Sequence, residues 1–567
     1  MSPAAELAQE REHYARCVAS LAFPDPSGLI PAVAAEPAER VSPRQLAAAW
    51  ADAVARADHD ASAWNLYIHV PYCKSICSFC NYKRLRVSNR QNLDQYVDFM
   101  VNEMRLLAPA LAGARFGALY VGGGTPSVLD ADQLDRLLGT LHDCFEFRDN
   151  PQKNFEYDPM VMTDDRHAVV KRYGFNRYSF GIQSLDAKIN ELHNRGPQGI
   201  KQVEKQFIQL HDDAPYAVNV DFLLGLDGTT PAGMTEEIEK VLRDHQPDEM
   251  SVYFISPTPE YLAQHFAGDA ERYQAFLRDF EIKVPAELGR TAQRHGYLVT
   301  ASGKHLLKLH RRQPRRRKGG QTYRYGDIQT QSRQPLYLLG LGDSARSRIF
   351  GSMTYRAEHH ADERDFDGAR YVARRHGLED EVFGYAALML RDGNRIDRAT
   401  FRGVFGKDLL EVAGDSVDKL VELGVAQLSR EALELVPQSR EERLRDVMFF
   451  LPQARRAALG EAPSRAGPGG GGAVVDASTV VRSLAPGDAL PDGWNVADIG
   501  ASGVTIRDDA GAAEILIKLL APAGAHPAFQ TTARYDVQYH VRAGSPTGPE
   551  LDAPVAAVVD AVRADEK

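Results

Sequence analysis

The sequence predicts an α/β fold built on a partial (β/α)6 barrel, and three observations carry that expectation. From Trp64 onward, short apolar segments alternate with amphipathic helical ones. Such alternation produces a parallel sheet covered by helices, because each crossover places a helix on a sheet face. Glycine-rich or polar turns follow several of the strand-like segments, and the closely spaced Cys73, Cys77 and Cys80 follow the first of them. In parallel βα architectures reactive groups collect at the carboxyl ends of the strands, which is where these motifs fall.

The first sixty residues mix Ala-rich helical stretches with Pro24, Pro26, Pro31 and Pro37, then a helix over 43–57. They read as an N-terminal helical extension, 1–60. The barrel is expected over 61–355, with strands at 66–70, 118–121, 153–156, 177–180, 217–223 and 249–255, and helices such as 92–107 and 131–144 between them. The first strand leads into the cysteine loop. The second ends in Gly122, Gly123 and Gly124, where the missing Cβ atoms let backbone approach a ligand. The third closes on Glu156 and Asp158, the fourth on Gly181 to Ser184, and Asp221 lies in the fifth.

A helical C-terminal module is expected over 356–455. Its helices and short hairpin, 424–428 with 433–436, give a winged-helix-like pattern. Glu379, Asp380 and Glu381 make it acidic, so it reads as a lid or packing module rather than a DNA reader. A Gly/Pro linker over 456–472 has the composition of flexible coil. Beyond it, period-two alternation at 514–519 and 534–541 and a helix at 553–562 predict a small extra α+β domain, 473–567, to which no motif assigns a role. His526 and His540 read as surface or packing residues there.

Composition sets the class. The chain has 567 residues, 67 basic against 77 acidic, a net charge of −10 and 44% hydrophobic residues. These values exclude a nucleic-acid protein and global disorder, and the length calls for more than one domain. No apolar run is long enough to span a bilayer. The N-terminus carries Glu6, Glu10 and Glu12 in place of a secretory core, so a cytoplasmic enzyme is expected.

Cys73, Cys77 and Cys80 form a CxxxCxxC pattern. Five cysteines in so long a chain argue against a disulfide framework. Structural zinc usually takes four ligands, often as two pairs, and no second CxxC exists. His69 as a fourth zinc ligand is the lesser reading, and Cys17 and Cys144 read as ordinary thiols. The leading reading is a [4Fe–4S] cluster on three thiolates. Its fourth iron stays open to a small molecule that offers an amine and a carboxylate.

The stretch 64–451 resembles the radical S-adenosylmethionine (SAM) superfamily, and within it the HemN-like branch, named for oxygen-independent coproporphyrinogen III oxidase. The matching motifs are YIHVPYCKSICSFC, YVGGGTPS, FEYDP, GFNRYSFGIQSLD, HNR, VDFLLGLDGTT, LLGLGDSA and LMLRDGNRID. The resemblance implies a radical SAM barrel with a HemN-type C-terminal module and a cluster on Cys73, Cys77 and Cys80. It implies that Tyr67, Gly123 and Glu156 contact a cluster-bound SAM, with Gly124 in the same turn. Phe79, Thr125, Gln183, Arg195 and Asp221 match positions that contact a second SAM.

Three departures bear on the substrate. Tyr82 stands where the porphyrinogen decarboxylase pattern has a further cysteine, Asp227 stands where proline is usual, and Asp343 where a small residue or proline is common. They favour, as the branch activity implied here, a class C methyltransferase or cyclopropanase of secondary metabolism. One SAM would yield a 5′-deoxyadenosyl radical, which would activate the methyl of the second SAM for addition to an sp2 carbon. A coproporphyrinogen oxidase-like or haem-degrading tetrapyrrole enzyme and a haem chaperone are the alternatives. The implied partners are a flavodoxin- or ferredoxin-type electron donor and a small-molecule or carrier-bound substrate, with no nucleic acid and no membrane. The basic run 308–318 reads as a solvated loop.

Overall fold

The computed structural model describes residues 3–20, 39–196, 198–212, 217–301, 306–313, 334–357 and 371–452, and six short strand segments between 474 and 543. The chain divides into two units, Met1–Gly460 and Glu461–Lys567.

The first unit is organised by one 13-stranded sheet. Its strands are β1 (Glu39–Val41), β2 (Ala63–Val70), β5 (Arg115–Gly123), β6 (Glu146–Tyr157), β7 (Arg177–Gln183), β8 (Ala217–Leu224), β9 (Glu249–Phe254), β10 (Tyr297–Ala301), β11 (Leu306–Arg311), β12 (Leu336–Leu341), β13 (Arg346–Ile349), β14 (Met353–Ala357) and β15 (Tyr371–Arg375). The spatial order is β1-β15-β14-β13-β12-β2-β5-β6-β7-β8-β9-β11-β10. The strands β2, β5, β6, β7, β8 and β9 pair parallel in sequence order, which is the expected six-unit arc. A seventh, β12, pairs parallel with β2 from the other side, and antiparallel strands extend both edges. Two further strands, β3 (Tyr72–Cys73) and β4 (Leu85–Arg86), clip the two ends of the cysteine loop together.

Helices form where apolar spacing and caps agree. The helix Arg90–Leu107 buries Leu93, Tyr96, Val97, Met100, Val101, Met104 and Leu107, one stripe at 3.6-residue period, and Asn89 caps its first turn. Ala131–Cys144 starts on a capping box of Asp130 with Gln133. The strands alternate in the other period. Phe155, Tyr178, Phe180, Val218, Val220, Met250 and Val252 are buried apolar residues, while Asn154, Glu156, Arg177, Ser179, Asn219, Asp221, Glu249 and Ser251 take the intervening positions. Cross-strand register aligns that second set, Asn154 with Arg177, Glu156 with Ser179, and Asn219 with Glu249. A parallel sheet covered on both faces reads as continuous apolar strands; here the face opposite the helices is polar, which makes a hydrophilic lumen.

Several boundaries differ from those expected. The extension of 1–60 is not wholly helical, because β1 lies within it and pairs with β15. Its first helix, Pro3–Ser20, packs on the C-terminal module through Arg11 and Asp446 at 2.7 Å and through Tyr14 against Phe449. The boundary after 355 falls inside β14, and β15 adds to the same sheet, so the barrel sheet continues to Arg375. The first four residues of the basic run 308–318 belong to β11 rather than to a loop, since edge pairing with β9 and β10 orders them; 314–318 lie outside the described residues.

The C-terminal module contains helices Leu378–Gly393, Arg398–Phe405, Leu409–Glu422 and Arg440–Val447 with a three-stranded sheet that includes the expected hairpin, Ala426–Leu428 with Ala432–Leu435. In the second unit the described segments are strands, among them Glu514–Leu520 paired with Asp536–Ala543. The linker glycines, the helix at 553–562 and His526 lie outside the described residues, as do the side chains of Cys17 and His540.

Candidate functional site

The cysteine loop leaves the carboxyl end of β2 and crosses the mouth of the lumen. Its path is fixed by backbone hydrogen bonds from Gly124 to Val70 (2.7 Å), Thr125 to Tyr72 (2.8 Å), Leu85 to Pro71 (2.8 Å) and Cys80 to Cys77 (3.2 Å). These tie the loop to the glycine turn after β5. A Cβ on Gly124 would lie 2.7 Å from the Pro71 carbonyl and 2.9 Å from the Cys73 Sγ, so only glycine permits this approach.

Cys73, Cys77 and Cys80 are free thiols, each partly buried. Burial pushes Cys73 up to about 11, against a hydrogen bond from the Thr125 hydroxyl at 3.5 Å, and the other two thiols push the same way. Burial also raises Cys77, opposed by the Arg195 guanidinium. A thiolate at neutral pH in this setting needs added positive charge, which iron supplies. Among the described residues no three His, Cys, Asp or Glu side chains converge as ligands of one metal ion would. Cluster thiolates each take a different iron and need no such convergence. His69, near the end of β2, has its Nε2 buried with no hydrogen-bond partner. Its Nδ1 meets the Tyr67 hydroxyl at 2.9 Å, burial lowers the ring to about 4, and the imidazole packs beneath Gly123, where a Cβ would stand 2.8 Å from it.

Deeper in the lumen lie the residues expected to bind SAM. Glu156 Oε1 accepts from the Tyr120 hydroxyl and Oε2 from the Gly123 N–H at 3.3 Å. Burial raises Glu156 to about 7. Asp221, raised by burial to about 6, accepts from Asn219 Nδ2 at 2.8 Å. Tyr67 and Tyr120 are register neighbours with ring centroids 6.0 Å apart. Gln183 has φ 64, a left-handed conformation unusual for this side chain. Arg195 Nη2 donates to the Gly181 carbonyl at 2.9 Å. Arg195 Nε and Gln183 Oε1 are buried with no hydrogen-bond partner, as groups that await a polar ligand would be. Phe79 lies partly buried with its ring 6.1 Å from His193. The glycine cradle and these orphaned atoms fit a bound SAM.

Two sequence departures have structural partners. Asp343 is buried and its carboxylate meets Lys83 Nζ at 2.8 Å, which ties the LGLGDSA turn to the segment after Cys80. Asp227 faces His265. In the LGLGDSA turn the Gly342 N–H donates to Glu103, which also accepts from Tyr371 and is raised by burial to about 7. Tyr82 is 66% exposed. Its phenol is raised by burial and by the Glu156 and Asp221 carboxylates.

Sequence reasoning missed Tyr120, Asn219, Arg177, Ser78 and His265. Arg177, fully buried, donates to Asn154 at 2.5 Å and to Glu249 at 2.6 Å. The signal was available for Tyr120, Asn219 and Arg177: polar residues at every second position of an otherwise apolar strand mark a hydrophilic face.

Residues 67–244 match the family model described as the radical SAM superfamily. Over 230 residues the chain is 30% identical to the oxygen-independent coproporphyrinogen III oxidase of Salmonella typhimurium, covering 40% of this chain and 48% of that protein. Over 212 residues it is 30% identical to the Escherichia coli K12 enzyme of the same name, covering 36% and 45%. The match thus spans about half the length of these curated relatives. Among solved structures, coproporphyrinogen III oxidase (HemN) from Escherichia coli, a radical SAM enzyme, superposes with a TM-score of 0.56 at 20% identity, over 71% of this chain and 92% of that one. The chain is a distant homologue of these proteins and has the HemN radical SAM fold.

Proposed function

We propose that this chain is a HemN-like radical SAM enzyme that holds a [4Fe–4S] cluster on Cys73, Cys77 and Cys80 and two SAM molecules in the lumen behind it. The observation that carries this reading is the cysteine loop hydrogen-bonded to the glycine turn across a polar lumen. When bound, the cluster and SAM supply an electron and a 5′-deoxyadenosyl radical, the difficult chemistry being the cofactor's.

The protein's residues bind, orient and shield. Gly123 and Gly124 bring backbone close to the ligand, and Glu156, kept in place by Tyr120, can accept from an amine or a ribose hydroxyl. Arg195 can pair with a carboxylate, and Asp221, set by Asn219, faces the second ligand. Removing any one of these loosens a geometry that depends on sub-ångström placement. The protein works in the cytoplasm with a flavodoxin- or ferredoxin-type donor, since an oxygen-sensitive cluster needs a reducing compartment.

The names of the relatives favour a coproporphyrinogen-like tetrapyrrole as substrate. Tyr82, in place of a further cysteine, favours the second reading, in which the methyl group of the second SAM is delivered to an sp2 carbon as methyl or cyclopropane. Anaerobic incubation with coproporphyrinogen III and methyl-deuterated SAM separates the two. Protoporphyrinogen with unlabelled 5′-deoxyadenosine supports the first; deuterated 5′-deoxyadenosine with S-adenosylhomocysteine, in the presence of an sp2 acceptor, supports the second. Failure to cleave SAM at all under reduction refutes both.

A further inference from the structure

Ser78, between the second and third cysteines, is the point where the cysteine loop crosses to the far wall of the barrel. Its N–H donates to the His193 carbonyl at 3.1 Å. Its hydroxyl stands 3.0 Å from His193 Nδ1 and 3.0 Å from His265 Nε2. His193 is fully buried, and the His265 side chain is 3% exposed.

With His193 neutral, as its burial favours, the proton inventory of this group of side chains runs in one direction. His193 Nε2 lies 3.1 Å from the Asp227 carbonyl, which can only accept, so His193 carries its proton there. Its Nδ1 is then a lone pair and accepts from the Ser78 hydroxyl. With its proton committed, that hydroxyl oxygen accepts from His265 Nε2–H. The Asp227 carboxylate stands 3.5 Å from His265 Nδ1 and orients the ring when both ring nitrogens carry protons. Asp227 N–H also donates to the Tyr261 hydroxyl at 3.0 Å. The Tyr261 ring stacks on His193, and the two imidazoles lie 4.4 Å apart. The chain of bonds therefore begins and ends on Asp227 and closes on Ser78.

We propose that His193 and His265, the latter oriented by Asp227, are positioning residues that clamp Ser78 and so hold Cys77 and Cys80 where the cluster needs them. The inference rests on the cluster reading above, and its test works without turnover. Hydrogen exchange of the peptide 73–80 is measured in apo wild type, His265→Leu and His265→Gln, with thermal midpoints alongside.

Loss of the clamp in His265→Leu raises loop exchange about tenfold, the scale of one hydrogen bond's net contribution, while exchange of the barrel helices stays at wild-type rates. Gln, which keeps a donor near the position of Nε2, restores protection. In reconstituted protein the Leu variant loses iron in air faster than wild type and changes the EPR signal of the reduced cluster on SAM addition, and the Gln variant does neither. Unchanged loop exchange in the Leu variant, or exchange raised across the whole barrel, overturns the proposal. Should His265→Leu fail to fold, Ser78→Ala decides by the same loop readout. Wild-type protein that takes up no iron refutes the cluster reading alone, and apo exchange still judges the clamp.

Discussion

The Lys83 ammonium meets the buried Asp343 carboxylate at 2.8 Å across 260 residues of sequence. The bond joins the end of the cysteine loop to the turn after β12, two segments that share no secondary structure. Lys83 is 35% exposed while Asp343 is 1% exposed, so removing the lysine takes the cationic partner from a buried carboxylate. Lys83→Ala is expected to cost about 1–3 kcal/mol, read as a lower urea midpoint. Lys83→Ala with Asp343→Asn should recover part of that loss, because no uncompensated charge remains. A double mutant as unstable as Lys83→Ala would show that the pair is not the source of the effect.

Gly124→Ala tests the cradle. The new methyl would collide with the Pro71 carbonyl and the Cys73 sulfur, and overpacking of this kind costs about 1–3 kcal/mol. The expected outcome is a folded protein with sharply reduced iron content after reconstitution. Gly289→Ala, inside a helix with nothing within 4 Å of its Cβ, is the matched control for iron content. Full cluster assembly in Gly124→Ala would show that the loop and the glycine turn need not approach this closely.

The raised carboxylates set a pH dependence of definite sign. Glu156 and Glu103 stand at about 7 and Asp221 at about 6, above their ordinary values. The folded apo protein therefore binds protons more tightly than the unfolded chain. This stabilisation is complete below about pH 4 and is lost as pH rises through 6 to 7, each tenfold difference in proton affinity being worth about 1.4 kcal/mol. In paired apo melts Glu156→Gln should lose less stability than wild type between pH 5.5 and pH 7.5, a comparison in which the opposite contribution of the lowered imidazoles of His69, His142, His193 and His245 is common to both proteins. Affinity for cationic SAM should run the other way, rising with pH as Glu156 and Asp221 ionise; equilibrium dialysis at the two pH values checks it.

Truncation before Glu461 should leave cluster assembly and uncoupled SAM cleavage intact, because every residue proposed to hold the cluster or SAM lies in Met1–Gly460. Turnover of the true substrate should fall if the second unit docks it or its carrier. Loss of iron on truncation would make that unit part of the core.

The barrel strands and their motif turns were legible because each strand announces itself by a short apolar run, and several end in glycine or a carboxylate, as β5 does in Gly122 to Gly124 and β6 in Glu156 and Asp158. The identity of Asp343 and Asp227 was legible; their partners were not, since Lys83 and His265 carry no local pattern and meet them only through the closing of the sheet. The strand β1 was missed because three residues give no period to read, and they pair only with the distant β15. Ser78 looked like loop filler for the same reason: its partners lie 115 and 187 residues away.

The placement of β12 beside β2 has a consequence for biosynthesis. The cysteines leave the ribosome long before residue 343, by roughly 15–50 s at ordinary elongation rates. Until then β2 has an open edge, and the loop lacks both the Lys83–Asp343 bond and, for much of that time, the His265 contact. The thiols are thus exposed during translation and acquire their final surroundings only afterwards. Cluster delivery is therefore expected after translation, and nascent chains stalled before residue 336 should be poor acceptors from an iron–sulfur scaffold.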